Sequence, residues 1–589
     1  MADYKINDIY QGGLSTFKSN YGEKEFGTGA TIPAGQMGLA MDPRTANILQ
    51  EVSGKLSTGV QNIELSNVQP DVFESIPKNY FKEAGRVAKL AGAEITVHAP
   101  LVEASGMTKE GFSEANRQAA ERQMMDAIVK ANQVNPKGSS PVTFHSSAIL
   151  PGPELQKTSE GKEIVKQLVI NQETNQISSV EKDVRHYPGA DPAKIRAGEH
   201  RDVEKELDLR NTSSWHDSFT QLSFHSESAD KLIDQAYPVL SPIIKDIEQE
   251  KVKKSSLSPT QVDAYNKFKI AEEHVSEIHR SANSLFDKAY KYGSEDDKEK
   301  LINLSETFRQ DLKDKKDLKG YSRALIGFMN ELQSDFEPKI FTTLGEFTNE
   351  STTKTFANVA WDSYDKFGSK APIISIENPP YGGAFSTGEE LKEIVEGARE
   401  KFVEKAQEEG MSKSQATKQA KKLIGVTWDV GHINMMRKHG FEKEDILKET
   451  EAVQPLVKHV HLSDNFGMEH TELPMGMGNV PIKEIMDKLG KEGFEAKKVI
   501  EAGNWWQHFK SPPVKESFQA FGSPLYAMDM GSYWNQSLAL QQGYFGGYGM
   551  MLPQGNYNTF GAGFSQLPAE LGGQQPGAKG SNMSGRPME

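Results

Sequence analysis

Short apolar segments and helical stretches alternate along the first 150 residues of the chain and again after residue 370. Alternation of this kind is typical of parallel βα units, in which each strand is followed by a helix. Eight segments fit buried strands, namely Met37–Met41, Val60–Leu65, Ala93–Val97, Val142–Phe144, Pro372–Ile376, Ile424–Trp428, Val457–Val460 and Val499–Ile500. Eight such units predict an α/β protein with the (β/α)₈ TIM-barrel fold.

Titratable residues stand at the C-terminal ends of the last six predicted strands. They are His98, His145, Glu377, Asp429, His461 and Glu501. In a (β/α)₈ barrel these strand ends converge on one face, where active sites lie. His432 follows Asp429 by three positions, and Asp464 follows His461 by three. The turn after Asp429 can bring both Asp429 and His432 to one cluster.

The chain contains no cysteine, so any metal ion must be held by His, Asp and Glu. A mixture of imidazoles and carboxylates on rigid elements suits a hard or borderline divalent cation. A single histidine beside a strand is more often structural, and the eight residues could instead pair as buried salt bridges. Eight ionisable groups in a barrel mouth without a cation would be costly to desolvate, which favours a metal site.

The alternation of strands and helices is interrupted in the middle of the chain. We expect residues 1–149 and 356–511 to form the two parts of the barrel, with residues 150–355 as a polar linker and a large, mainly helical insertion. An apolar stripe at helical spacing supports the insertion, formed by Val275, Ile278, Ala282, Leu285 and Ala289. A small helical bundle and a partner-binding coiled coil both fit this pattern.

Residues 512–589 are rich in Gly, Asn, Gln and aromatic residues and nearly free of Lys and Arg. Such a low-complexity C-terminal tail cannot bury enough surface to offset its ordering entropy. We expect it to be disordered or to take a partner-dependent conformation. The insertion and the tail are therefore the two candidate regions for binding a protein partner.

Overall charge and hydropathy restrict the partners further. The chain has 68 basic and 82 acidic residues and a net charge of −14, so its overall field does not attract nucleic acid, although a local basic groove still can. No run of 18 apolar residues occurs, and the N-terminus lacks the pattern of a secretory signal. We expect a cytoplasmic protein that does not bind membranes.

Several motifs, in their order along the chain, resemble those of the endonuclease IV and xylose isomerase-like barrels, also called AP endonuclease family 2. The resemblance covers roughly residues 37–150 and 370–508. It is carried by VHAPLVEASG, FHSS, IENPPYGGAFSTGEEL, GVTWDVGH, VKHVHLSDN, LPMGMGNVPIKEIMDKL and IEAG. Each fragment is modestly specific, but their ordered succession is a strong signal.

The endonuclease branch of this family holds up to three zinc ions. The resemblance implies as ligands His98, His145, Glu377, Asp429, His432, His461 and Glu501. That branch also has an Asp-x-His pair before a Gly-x-Gly element, and here His470 and Glu472 occupy the two positions with the chemical types exchanged. The sugar isomerase branch implies one Mn²⁺ or Mg²⁺ on a quartet consisting of Glu377, Asp429, His461 and Glu501, with His432 touching the substrate.

Two enzymatic functions follow from the resemblance. The first is a zinc-dependent hydrolase of DNA repair, an endonuclease acting at abasic sites in DNA, with Glu377 orienting or deprotonating the attacking water. Leu101 departs from this branch, which usually has Tyr there. The alternative is a sugar isomerase or epimerase, in which Glu377 and Glu501 exchange a proton at carbon in a small sugar. A barrel repurposed as an assembly or scaffold protein is a third possibility.

Overall fold

The computed structural model describes residues 28, 30, 32, 34–58, 60–66, 69–158, 161–186, 188, 191, 196–244, 247, 256–314, 317–503, 505 and 513–521. The chain divides into two compact units. We call them the barrel unit, Met1–Glu163 with Gly345–Glu589, and the helical unit, Ile164–Leu344.

Eight parallel strands close into a barrel, which confirms the predicted (β/α)₈ fold. The strands are β1 (Met37–Ala40), β2 (Asn62–Ser66), β3 (Glu94–His98), β4 (Pro141–His145), β5 (Ile373–Glu377), β6 (Ile424–Asp429), β7 (Val457–Leu462) and β8 (Lys497–Ile500). Their order around the barrel follows the chain, and β1 pairs with both β2 and β8. Each strand contains one of the eight predicted segments to within a few residues.

Strand register brings the predicted site residues to one level. Glu377 at the end of β5 is the partner of His145 at the end of β4, although the helical unit lies between them in sequence. Asp429 at the end of β6 is likewise the partner of His461 on β7. Because neighbouring parallel strands end together, their last side chains reach the same face of the barrel.

Helices follow the strands on the outside of the barrel. The longer ones are Ile48–Leu56, Lys78–Leu90, Glu114–Val134, Leu344–Phe367, Gly388–Glu408, Lys413–Leu423, Lys443–Val453 and Ile482–Glu495. Shorter helical segments are Ala34–Gln36, Pro70–Ser75, Gly368–Lys370, Val430–Asn434, Met435–His439, Gln454–Leu456 and Val514–Ala520. Ile482–Glu495 consists of two helical segments that meet at Gly490, whose φ is +55°. Two-residue strands, Met107–Thr108 and Gly111–Phe112, form a small hairpin after β3.

In the part of the helical unit that the structure describes, four long helices are present, Val203–Leu240, Pro259–Tyr292, Glu295–Asp314 and Leu318–Asp335. The predicted apolar stripe lies in its core, packed with Trp215 and Leu332. The first of these helices begins at Val203. The unit ends at Leu344, so the last residues of the predicted insertion, 345–355, belong to a helix of the barrel unit.

The stretch expected to be a polar linker contains strands instead. They are Glu154–Thr158, Gly161–Asn171, Ile177–Glu181, Asp183–Arg185 and Glu199–Arg201, and Phe341–Thr343 pairs with the second of them. Ile177–Glu181 exposes four of its five residues. Strands so exposed need no apolar alternation, and their residues therefore give no signal that sequence periodicity can detect.

The predicted tail, residues 512–589, contains folded structure near its start. Val514–Ala520 is a helix, and Phe518 and Phe521 are both buried. Thr28 is hydrogen-bonded to the carbonyl of Ala520 through its backbone N–H and its hydroxyl. The remainder of the predicted tail, residues 522–589, lies outside the described residues. Among the helices that the structure describes, none combines the length and apolar character needed to span a membrane.

Candidate metal centre

The face of the barrel at the C-terminal strand ends carries a cluster of His, Asp and Glu side chains. The structure places there all nine residues proposed as ligands, namely His98, His145, Glu377, Asp429, His432, His461, His470, Glu472 and Glu501. Glu377, Asp429 and His461 are fully buried. Their position follows from the strand register, because each of them ends or nearly ends a barrel strand.

Glu377 lies at the centre of the cluster and divides its two carboxylate oxygens between opposite sides. Its Oε2 lies 3.1 Å from Nε2 of His98 and 3.2 Å from Nε2 of His145. Its Oε1 lies 2.7 Å from Nδ1 of His461. One carboxylate therefore connects the imidazoles of β3 and β4 to the imidazole of β7.

The ring nitrogens of His98 and His432 are oriented by backbone carbonyls. Nδ1 of His98 lies 2.8 Å from the carbonyl oxygen of Ala99, and Nδ1 of His432 lies 2.7 Å from that of Asn378. A carbonyl only accepts, so Nδ1 must carry the proton in each ring. In the neutral ring Nε2 then presents its lone pair to the cluster, which is the arrangement found in metal-binding histidines.

Four residues form a set suited to one cation. Glu377, Asp429, His461 and Glu501 each offer a donor atom, and these atoms lie within 4.8 Å of one another. Oδ1 of Asp429 accepts hydrogen bonds from the N–H groups of Gly431, at 2.7 Å, and His432, at 2.8 Å. Its other oxygen, Oδ2, is buried and accepts no hydrogen bond from the described residues.

The electrostatics of this set also fit a cation. Burial raises the pKa of Glu501 and of Asp429, and the nearby charge of Glu377 raises both further. Burial also opposes ionisation of Glu377, but the charges and hydrogen bonds of His461 and His145 outweigh it and hold its pKa well below the usual range. Several carboxylates and an unpartnered oxygen in one buried space are stabilised by a positive ion. The donor set therefore fits a divalent metal.

A third group of side chains, His432, His470 and Glu472, lies beside the imidazoles around Glu377 and the four-residue set. Nε2 of His432 lies 2.9 Å from Nε2 of His470, which lies 3.4 Å from Oε1 of Glu472. Burial lowers the pKa of His432 to about 4 and also lowers that of His470, so both rings are neutral at pH 7. The His470/Glu472 pair, whose residue types are exchanged relative to the family pattern, thus still reaches the cluster. Glu472 has a φ of +43° and accepts a hydrogen bond from the N–H of Gly503 at 2.9 Å.

Asp464 does not join the cluster, although it follows β7 closely. Its carboxylate accepts hydrogen bonds from the backbone N–H groups of Gly476 and Gly478, both at 2.9 Å, and of Val480 at 3.1 Å. Its own backbone pairs with that of Leu473 in both directions. Asp464 therefore shapes the loop that carries His470 and Glu472.

Two residues that the sequence reasoning missed, Glu64 and His459, lie beneath the cluster in the barrel interior. Oε1 of Glu64 lies 3.0 Å from Nε2 of His461, and Oε2 lies 3.0 Å from Nε2 of His459 and 2.8 Å from Oγ1 of Thr96. His459 and His461 are two positions apart, so they share the inward face of β7. Glu64 could have been identified in the sequence because it is an acidic residue inside the apolar segment of β2.

A cavity of about 370 Å³ opens beside the cluster. It is lined by cluster residues and by Leu101, Arg44 and Lys55. Lys55 is only 4% exposed, and it shares the buried face of helix Ile48–Leu56 with Ile48 and Val52. Burial lowers the pKa of Lys55, an effect that the charges of Glu51 and Asp42 oppose. The sequence did not identify Arg44 and Lys55 as site residues, because basic side chains on or near a helix are normally exposed to solvent.

Comparison with known proteins agrees with this architecture. Residues 373–519, which include β5 to β8, match the family described as xylose isomerase-like TIM barrel. This part of the chain is similar to the xylose isomerase-like TIM barrels. Members of that superfamily are enzymes, including isomerases, epimerases and endonuclease IV, and many of them use divalent metals.

Two individual proteins are similar to this chain. The uncharacterized protein MJ1311 of Methanocaldococcus jannaschii is 25% identical over 194 residues, which are 33% of this chain and 54% of that protein. The chain thus spans about half the length of the curated relative it matches. A solved structure of a D-tagatose 3-epimerase-like protein is 12% identical with a TM-score of 0.38, covering 84% of this chain and 98% of that one. Neither likeness bears on the substrate.

Proposed function

We propose that this chain is a metal-dependent phosphodiester hydrolase with more than one metal ion, acting at abasic sites in DNA. The observation that carries the proposal is the position of Glu377, whose two oxygens face different groups of imidazoles. One divalent ion uses about four to six ligands, whereas nine donor side chains converge here. A carboxylate between two groups of donors suits the bridge between two ions.

The proposed ligand groups follow from the contacts. His98 and His145 lie on the Oε2 side of Glu377, and Asp429, His461 and Glu501 on the Oε1 side. His432, His470 and Glu472 form the third group. Bound divalent ions would lower the pKa of a water molecule and stabilise the charge of the phosphate. Glu377 is the carboxylate placed to orient that water or to accept its proton.

The cavity supports a phosphate-containing substrate. Arg44 and Lys55 add two cations to its lining, although the whole chain is acidic. Arg44 is paired with Asp42 at 3.0 Å, whereas Lys55 is almost fully buried. A buried ammonium beside a metal cluster favours an anionic substrate over a neutral sugar. Leu101 also lines the cavity and supplies an apolar side chain of the kind that can unstack bases.

Metal analysis and strand scission test the proposal together. We expect the barrel cluster of the purified chain to hold two or three zinc ions, counted apart from any metal in the helical unit, and we expect cleavage of a duplex at a single abasic site. Glu377→Gln should lower the cleavage rate by at least a hundredfold, with Glu83→Gln on the barrel surface as the matched control. One Mn²⁺ or Mg²⁺ per chain without scission would contradict the assignment, as would full activity in Glu377→Gln.

A sugar isomerase or epimerase is the second candidate, and a specific observation favours it. Glu377, Asp429, His461 and Glu501 lie close enough to hold one ion by themselves. Glu377 and Glu501 both approach Nδ1 of His461, at 2.7 Å and 3.3 Å, and are the two carboxylates available for proton transfer at carbon. Incubation with ketoses in D₂O distinguishes the candidates, because an isomerase or epimerase incorporates carbon-bound deuterium and a phosphodiester hydrolase does not.

A further inference from the structure

A second group of metal-binding side chains lies in the helical unit. His225 is on helix Val203–Leu240, and His274 and Glu277 are on helix Pro259–Tyr292. We propose that these three residues form a transition-metal site that links the two helices. The site is separate from the barrel cluster and does not depend on the function proposed for it.

The distances fit a tetrahedral ion. Nδ1 of His225 lies 3.1 Å from Nδ1 of His274 and 3.9 Å from Oε2 of Glu277. All three donor atoms lie within 4.8 Å of one another. Zinc bonds of about 2.0–2.2 Å in tetrahedral geometry place ligand atoms about 3.3–3.6 Å apart. The two distances from His225 differ from this spacing by only a few tenths of an ångström.

The two helices hold the ligands in place through their packing. Leu222 lies about one helical turn before His225, and Val275 and Ile278 directly follow His274 and Glu277. Leu222, Val275 and Ile278 are all buried in the core of the helical unit. Residues three or four apart on a helix share a face, so His274 and Glu277 point the same way. Ligands on two packed helices are preorganised for a cation.

The chemistry of the three donors selects the kind of ion. Two imidazoles and one carboxylate suit Zn²⁺ and similar divalent transition metals better than Mg²⁺ or Ca²⁺. Three protein ligands leave the fourth position for water. His225 and Glu277 line an open groove of about 520 Å³ that also contains Ser218, Arg280 and Ser281. The fourth ligand therefore comes from the solvent side.

Metal content of the full chain tests the site. We expect the double variant His225→Asn/His274→Asn, loaded with Zn²⁺ and dialysed, to contain one zinc ion fewer per chain than the original protein. The matched control is His216→Asn, which removes an exposed histidine from the same helix and should leave the zinc content unchanged. Equal zinc content in the double variant and the original protein, with the helical circular dichroism retained, would overturn the proposal.

A second variant decides the question if the double variant does not fold. The side chain of Glu277 is 52% exposed, so Glu277→Gln removes a ligand without disturbing the core. We expect one zinc ion of this variant to be released at a chelator concentration at least tenfold lower than in the original protein. Identical release from both proteins counts against the site. Because these variants leave every residue of the barrel cluster unchanged, failure here leaves the barrel proposal untouched.

Discussion

Single backbone carbonyls decide which ring nitrogens can bind a cation in the barrel. The backbone carbonyl oxygens of Ala99 and Asn378 accept hydrogen bonds from Nδ1–H of His98 and His432. The Nε2 lone pairs of the two rings therefore point into the cluster. Burial lowers the pKa of His432, so this ring remains neutral and competent as a ligand. The tautomers are therefore fixed by the strand ends themselves.

Substitution of Lys55 tests whether the substrate that enters the cavity carries a negative charge. If its ammonium contacts a phosphate of DNA, Lys55→Met should weaken binding of an abasic duplex and lower the slope of log affinity against log salt concentration by about one. Binding should be measured at several salt concentrations. The control Lys89→Met removes an exposed lysine of the same unit and should leave the slope unchanged. An unaltered slope in Lys55→Met would remove Lys55 from the proposed phosphate contacts.

Glu64 provides a test of ligand positioning. It contacts the nitrogen of His461 that faces away from the cluster, and carboxylates in that position orient metal-binding imidazoles. We expect Glu64→Gln to weaken metal affinity about 10–100-fold, measured by competition with a chelator. Retained strand circular dichroism would separate this effect from unfolding. Unchanged affinity in a folded Glu64→Gln protein would limit Glu64 to a structural role.

At the scale of elements, the barrel strands could be predicted and the small strands could not. Parallel barrel strands are buried on both faces, so they form continuous apolar runs, and a polar residue such as Glu377 at the end of a run is conspicuous. The candidate metal ligands at the other strand ends could be recognised in the sequence for the same reason. Lys55 and Glu64 could not be predicted as site residues, because their roles depend on tertiary neighbours. The strand Ile177–Glu181 could not be predicted, because it is too exposed to need an apolar pattern.

Close helix packing in the barrel unit leads to a prediction at Gly85. A Cβ atom at this position would lie 2.1 Å from the backbone oxygen of Val134, which cannot move without shifting helix Glu114–Val134. Gly85→Ala should therefore lower the free energy of unfolding by about 2–3 kcal/mol, measured by urea denaturation. Gly54→Ala, also within a helix but with open space at Cβ, is the matched control and should raise stability by about 0.5–1 kcal/mol.

At the scale of the whole molecule, removal of metal should make the stability of the barrel depend on pH. Burial alone would lower the pKa of His98, but the hydrogen bond and charge of Glu377 outweigh it and raise the pKa to about 9. The pKa of His461 is likewise raised, because the charges of Glu501 and Glu377 outweigh burial. A histidine with a raised pKa stabilises the folded state fully below the unfolded value near 6.5, and that contribution disappears as pH rises through the folded value.

We therefore expect the chelator-treated protein to lose up to about 3 kcal/mol of barrel stability between pH 6.5 and 9. The metal-loaded protein should not show this loss, because bound imidazoles carry no additional proton and metal affinity rises as protons leave. Hydrogen exchange of the barrel strands at several pH values measures the difference. Parallel profiles with and without metal would show that no cation occupies the cluster.

The helix Val514–Ala520 leads to a prediction about truncation. Phe518 and Phe521 are buried, and burial of each aromatic side chain contributes about 2–3 kcal/mol. Deletion of residues 513–589 should therefore lower the unfolding temperature markedly. Deletion of residues 522–589 should change it little, since the Gly-rich composition of that segment predicts no contribution to the core. Equal unfolding temperatures of the two truncated proteins would contradict the role of the helix Val514–Ala520.

The pairing of β4 with β5 across the helical unit has a consequence for synthesis on the ribosome. The strands β1 to β4 emerge first, and β5 follows only after the whole helical unit has been translated, on the order of 10–40 s later. During that interval the edge of β4 has no partner strand, and open edges promote aggregation. The helices between them are dominated by local contacts and can fold meanwhile. We therefore expect the nascent half-barrel to need chaperones until β5 has been synthesised.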